Sequence, residues 1–416
     1  MQATNGFAVP FRRLTGCVFA LVLVISALFA SSAGAAVTVT HADLALGDSL
    51  AFGYSTQLFN ENFPSESPAA FEHGYANYYF NGSKQKAAGG QLINNGCPGE
   101  TTDSMIGNGT LGAALDPTEG ESPCGYHKIG FPLHHEYGGT KSQLESALEV
   151  IGVQAALGKP VTTVTLNIGA NDELKAIAKC EKEVETELGT EGKSKYGGKA
   201  NSEKGLEEKF EAEADGKEAK EAFEKGENAL GAELKAEAEE DGAASKAFFH
   251  KAGEEAVKGC IEAHVTELFK HILTNIGRIV FALHHGSAFG SIDYTGKIVF
   301  EGAYNPYGNV FGTGEVLSGS NTLSSILNFR EKKLLTDEGT EAAEEGHEPF
   351  KACFVNVLPT FNPGNAKEPL RLQAWTNMAN TTESNGKKNG PDIHPTPVGY
   401  HQIGGVLTIK QCGPVA

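Results

Sequence analysis

Between residues 44 and 409, short apolar runs of strand length alternate with longer stretches of helical period. The runs are Leu44–Leu46, Leu92–Ile93, Val161–Leu166, Lys297–Phe300 and Ala352–Leu358. Apolar residues recur at helical spacing across Ser67–Phe80, Lys141–Leu157, Val257–Ile276 and Asn321–Leu335, and Thr396–Ile409 reads as a closing helix. Strands separated by helices pair in parallel, and right-handed crossovers then lay helices over both faces. Strands covered on both sides are nearly continuously apolar or β-branched, as Val161–Leu166 is. The expected fold is α/β: a three-layer α/β/α, flavodoxin-like domain on a five-stranded parallel sheet.

Two segments stand outside that pattern. Arg12-Arg13 precede an apolar run over 14–30 and the small residues Ala33-Gly34-Ala35, the order of parts in a secretory signal. Residues 1–35 are therefore expected to be a signal peptide. Residues 36–416 are then a secreted domain with no stable membrane span after cleavage. From 181 to 258 the composition turns to Glu, Lys, Ala and Gly, with 22 acidic and 13 basic residues. Interleaved Glu and Lys favour helix through pairs one turn apart, while glycine limits its length. The stretch reads as a charged, solvated helical insert, with a cap over the site as the alternative. Its net charge of −9 is half of the chain's −18. The acidity is thus concentrated there, and it argues against nucleic acid, whose phosphates need a basic surface.

Six cysteines follow the leader: Cys97, Cys124, Cys180, Cys260, Cys353 and Cys412. An even number in an exported chain implies disulfides, in one of fifteen pairings. None has the CxxC spacing of a zinc site. The doublets His134-His135 and His284-His285 lack a supporting pattern of Asp, Glu or Cys, and Phe311-Gly312-Thr313-Gly314 lacks the strand–loop–helix setting of a phosphate cradle. No metal and no cofactor is expected.

The chemistry concentrates in three short blocks. Gly47-Asp48-Ser49 breaks the first apolar run, which sets a hydroxyl at the carboxyl end of a parallel strand, where open sheets bind ligands. Gly169-Ala170-Asn171-Asp172 follows the third run, and Asp392-Ile393-His394-Pro395 lies near the C-terminus. Serine is inert at neutral pH until a base takes its proton, the usual task of histidine. Ser49 and His394 both read as following strands whose ends converge, a reasonable geometry for a nucleophile and its base.

In that order, and with the string Gly47-Asp48-Ser49-Leu50-Ala51-Phe52-Gly53-Tyr54, the blocks resemble the SGNH (GDSL) hydrolase family, particularly its exported actinobacterial-type lipases and esterases. The resemblance covers the mature chain apart from the charged insert. It implies Ser49 as nucleophile, His394 as base and Asp392 as the acid that orients it. It also implies an oxyanion hole from the amide of Ser49, the amide of Gly99 (with Gly96 as second choice) and the side chain of Asn171. The family commonly sets its acid three residues before the histidine. Here Pro391 stands there and Asp392 stands two before, which leaves a backbone carbonyl as the alternative. Neighbour-to-neighbour disulfides are implied as well: Cys97–Cys124, Cys180–Cys260 and Cys353–Cys412. The activity implied is that of a secreted serine esterase or lipase acting on a small-molecule or lipid ester through an acyl-enzyme. A carbohydrate acetyl esterase and a non-catalytic extracellular binding protein are the alternatives.

Overall fold

The computed structural model describes residues 39–109, 111–112, 124, 131–138, 141–177, 179–180, 251–307, 323–335, 351–364 and 367–409. The chain separates into Met1–Val39 and Thr40–Ala416, and the second unit carries the fold. The signal peptide expected over 1–35, most of the charged insert and Cys412 lie outside the described residues.

Five strands form one sheet: β1 (His41–Gly47), β2 (Gly90–Asn94), β3 (Val161–Asn167), β4 (Lys297–Glu301) and β5 (Lys351–Val355). Their order is β2-β1-β3-β4-β5, and every pairing is parallel. This is the flavodoxin-like order, whose direction of winding reverses between β1 and β3. The expected α/β class and five-stranded parallel sheet are what the chain forms.

Alternation along the strands builds the two cores. Leu44 and Leu46 of β1, with Ile298 and Phe300 of β4, point to a face covered by the helices Gln143–Ala156 and Lys251–His284 and by the helical residues 323–335. Ala45 and Val299, one residue out of phase, point to the opposite face, covered by the helices Tyr75–Gly82 and Pro397–Ile409. A period of two on strands buried on both sides gives the three layers. The two covering helices of the second face approach closely at Gly404, where a Cβ would lie 2.5 Å from Tyr78 Cβ. No helix among the described residues is long and apolar enough to cross a membrane.

Three expectations shift in detail. Ser67–Phe80 is a 3-10 turn over Pro68–Phe71 followed by the helix Tyr75–Gly82, not one helix. The break falls at Gly74, whose backbone packs so tightly on Gly53 that a Cβ would sit 2.9 Å from the Gly53 amide. The helix expected from Val257 begins already at Lys251 and runs to His284, so residues 251–258 belong to it. Ala, Glu and Lys favour helix in any layer, which is why composition does not mark that boundary. The third shift concerns His394, which does not follow a strand of the main sheet. Asp392–Pro395 is itself a strand, paired antiparallel with Thr376–Asn377 in a separate two-stranded ribbon.

Disulfides join Cys97 to Cys124 and Cys180 to Cys260. The second brings the two ends of the charged insert to a Cα separation of 5.7 Å. Cys353 is also disulfide-bonded.

Candidate active site

β1 ends in Gly47, and the chain turns at once into the short helix Ser49–Phe52, with Asp48 as its cap. Asp48 Oδ1 accepts the amide of Leu50 at 2.8 Å. Gly47 lies beside Asn167 in register, and its φ of +135° is one that L side chains rarely adopt. The turn therefore presents Ser49 at the carboxyl edge, at the point where the winding of the sheet reverses.

The ribbon brings the histidine to the serine. His394 Nε2 lies 2.9 Å from Ser49 Oγ, and His394 Nδ1 lies 2.5 Å from Asp392 Oδ1. With the proton on Nδ1, the ring donates to Asp392 and accepts from the serine hydroxyl. Asp392 Oδ2 accepts the amide of Thr56 at 2.8 Å, which ties the ribbon to the chain just beyond Ser49. Burial alone would raise the Asp392 carboxyl. The hydrogen bond and charge of His394, with the Thr56 amide, outweigh it and hold the group below its ordinary value. Tyr304 adds a strut by donating its hydroxyl to the carbonyl of Ile393 at 2.5 Å.

Gly99 takes a φ of +78° in a turn that the Glu100 amide closes onto the Cys97 carbonyl. Gly96, the second choice, donates its amide to Asn94 Oδ1 at 2.9 Å. Asn171 is in the first turn of the helical residues 170–177. Its Nδ2 donates to the Glu100 carbonyl at 2.9 Å and stands 3.4 Å from Asp48 Oδ2. The structure thus joins Ser49, His394 and Asp392 directly, and links Asn171 to them through Asp48 and Glu100. Asp172, next along, is buried and accepts both the amide and the hydroxyl of Thr102, the latter at 2.6 Å.

Reading for apolar period passed over several buried polar residues here. Gln143, on the N-terminal turn of its helix, bonds Gly47 and Glu100. The Glu100 carboxyl also accepts from Ser104 Oγ at 2.5 Å. The capping box of Ser142 and Glu145 was the available signal, because it fixes that helix start at the carboxyl edge of the sheet.

Buried carboxyls surround this network. Burial raises Asp48 to about 7, Glu100 to about 8, Asp172 to about 6 and Glu173 to about 7, and carries Glu301 and Glu331 well above the ordinary carboxylate range. Each therefore holds its proton more tightly in the folded chain than in the unfolded one. Their stabilising contribution is complete below the unfolded values and is lost as pH rises through the folded ones. The signs reverse on the acid side. Burial lowers His284 to about 4, and Asp392 is depressed, so both lose stability as pH falls. The melting temperature should accordingly peak in mildly acidic solution and drop by about 5–10 °C toward pH 9. Thermal melts from pH 4 to pH 9 test this, and a maximum at pH 8 or above would contradict it.

The histidine doublets serve packing: His134 Nε2 bonds the Phe52 carbonyl, and His284 Nδ1 bonds the Tyr294 carbonyl, each at 2.9 Å. Among the described residues, the one metal-sized group of His, Cys, Asp or Glu is Cys97, Glu100 and Cys124, whose sulfurs are joined in a disulfide.

No protein-family model matches the chain, and no curated protein matches it. Among solved structures it is similar to a carbohydrate acetylesterase family member from Sinorhizobium meliloti. The identity is 10% and the TM-score 0.36, over 89% of this chain and 96% of that one. A likeness at this level carries no inference about activity.

Proposed function

We propose that the chain is a secreted serine hydrolase of the SGNH type that cleaves carboxylic esters through an acyl-enzyme. The observation that carries the reading is the unbroken hydrogen-bonded series Ser49–His394–Asp392 at the carboxyl edge of the sheet. In this reading His394 Nε2 takes the Ser49 proton as Oγ attacks the ester carbonyl. Asp392, held ionised, stabilises the imidazolium and fixes the tautomer. The negative oxygen of the tetrahedral intermediate is met by the amides of Ser49 and Gly99 and by Asn171 Nδ2. One proton of Nδ2 is engaged by Glu100, and the other has only the 3.4 Å contact to Asp48 to give up. Collapse expels the alcohol, which takes its proton from His394. Water then repeats the sequence on the acyl-enzyme and regenerates Ser49.

An apolar ester is preferred to an acetylated sugar because the Gly47–Tyr54 string and the spacing of the cysteines resemble those of exported lipases and esterases. The ring of Tyr54 meets His394 edge-on at 4.9 Å, and Phe59, Phe71 and Phe131 pack behind it in a buried cluster that seats the histidine.

A panel of p-nitrophenyl esters of increasing acyl length, run beside acetylated sugars, tests the reading. A fluorophosphonate should add covalently to the peptide that contains Ser49. Absence of turnover on every ester, together with labelling elsewhere or nowhere, would sink it.

A further inference from the structure

We propose that Gln143 is a positioning residue that fixes the separation between the nucleophile's turn and the loop carrying the oxyanion donors; the proposal rests on the ester-hydrolase reading. Gln143 is 1% exposed, and its amide spans the two loops. Its Oε1 accepts the amide N–H of Gly47 at 2.6 Å. Its Nε2 donates to the Gly47 carbonyl at 2.9 Å and to Glu100 Oε2 at 2.8 Å. Both donors of the amide are consumed, and both backbone polar groups of Gly47 are held by one side chain.

The connection continues on both sides. Gly47 lies two residues before Ser49, whose amide and hydroxyl perform the chemistry. Glu100 follows Gly99, and its own carbonyl receives Asn171 Nδ2 at 2.9 Å. A single buried series thus runs Gly47–Gln143–Glu100–Asn171, and its members carry or adjoin all three oxyanion donors. Those donors arise on three separate loops; one backbone bond, from the Cys97 amide to the Gly47 carbonyl at 3.0 Å, joins two of them, and Gln143 adds the side-chain link that reaches on to Glu100. Preorganised spacing is what makes such donors effective, and a misplacement of about 1 Å can cost roughly 10²-fold in rate. Gln143 reaches no reacting atom and acts only through Gly47 and Glu100.

Gln143→Glu separates positioning from packing. It keeps the shape and the acceptor for the Gly47 amide, removes at least one of the two donors, and sets a second carboxyl against Glu100. Expected is a fall in kcat of about 30-fold with KM held within about threefold. The affinity of an alkyl boronic acid, which forms a tetrahedral adduct on Ser49, should fall in parallel with kcat/KM. Exchanging the two groups, Gln143→Glu with Glu100→Gln, restores a donor–acceptor pair between the loops. That double variant should regain about a third or more of the lost kcat. Unchanged kcat in folded Gln143→Glu overturns the proposal. So does a loss of melting temperature with no selective loss of kcat, or a folded double variant that recovers nothing. Should Gln143→Glu not fold, Gln143→Met is read by the same split between kcat and KM. A wild-type protein that turns over no ester and binds no boronic acid removes the hydrolase reading itself, whereas an active wild type with an indifferent Gln143 removes only this proposal.

Discussion

Alanine at Ser49 should lower ester turnover by at least about 10⁴-fold while the melting temperature stays close to wild type. The residue is the first of a short helix, its side chain is small, and its Oγ engages His394 at 2.9 Å. Removing the hydroxyl deletes the nucleophile and leaves the turn to be held by Asp48 and Gln143. His394→Ala should lose a similar amount, because a serine without its base remains protonated. The two losses should not add, since either variant already disables the same step. Steady-state rates on the best p-nitrophenyl ester, with circular dichroism to certify the fold, decide the matter. A folded Ser49→Ala protein with wild-type turnover would falsify the nucleophile assignment. A double variant far slower than either single one would count against a shared mechanism.

Gly47→Ala should be strongly destabilising for so small a change, costing about 3 kcal/mol or more. An ideal Cβ at Gly47 would lie 2.1 Å from the carbonyl oxygen of Asn167 and 3.1 Å from its carbonyl carbon. Those atoms are backbone of β3, paired in register with β1, and they have no side-chain freedom by which to yield. The φ of +135° adds conformational strain to the clash. Gly158→Ala is the internal comparison, because its φ is +68° but nothing lies within 4 Å of its Cβ. That variant should lose only about 1 kcal/mol. Denaturant titrations of the two proteins test the contrast, and equal midpoints would show that the strand edge is more compliant than the register implies.

The comparison of residues with structure divides along physical lines. The five strands were legible because apolar and β-branched runs bounded by breakers have few alternatives, and Val161–Leu166 differs from the observed β3 by one residue. The serine block was legible because Gly47-Asp48-Ser49 interrupts such a run. The ribbon that carries His394 was not, since two-residue strands such as Thr376–Asn377 have no measurable period. The contact between Asp392 and the Thr56 amide spans most of the chain, and no local pattern encodes it. Gln143 was invisible for a different reason. A pattern search scores a polar residue at a helix start as solvated, whereas this one is buried by the loop it bonds.

The ribbon also has a consequence in time. Ser49 directly follows the first strand of the sheet, and the last strand ends at Val355. The pair Asp392 and His394 comes later still, followed by a terminal helix whose Tyr400 hydroxyl donates to the Tyr54 carbonyl at 2.7 Å. A growing polypeptide therefore contains Ser49 345 residues before it contains His394. On the assignment proposed above, every incomplete chain is chemically silent, even one with all five strands made. If the chain is exported and acts on lipid esters, as proposed, a polypeptide still crossing the bilayer without His394 would be unable to attack one.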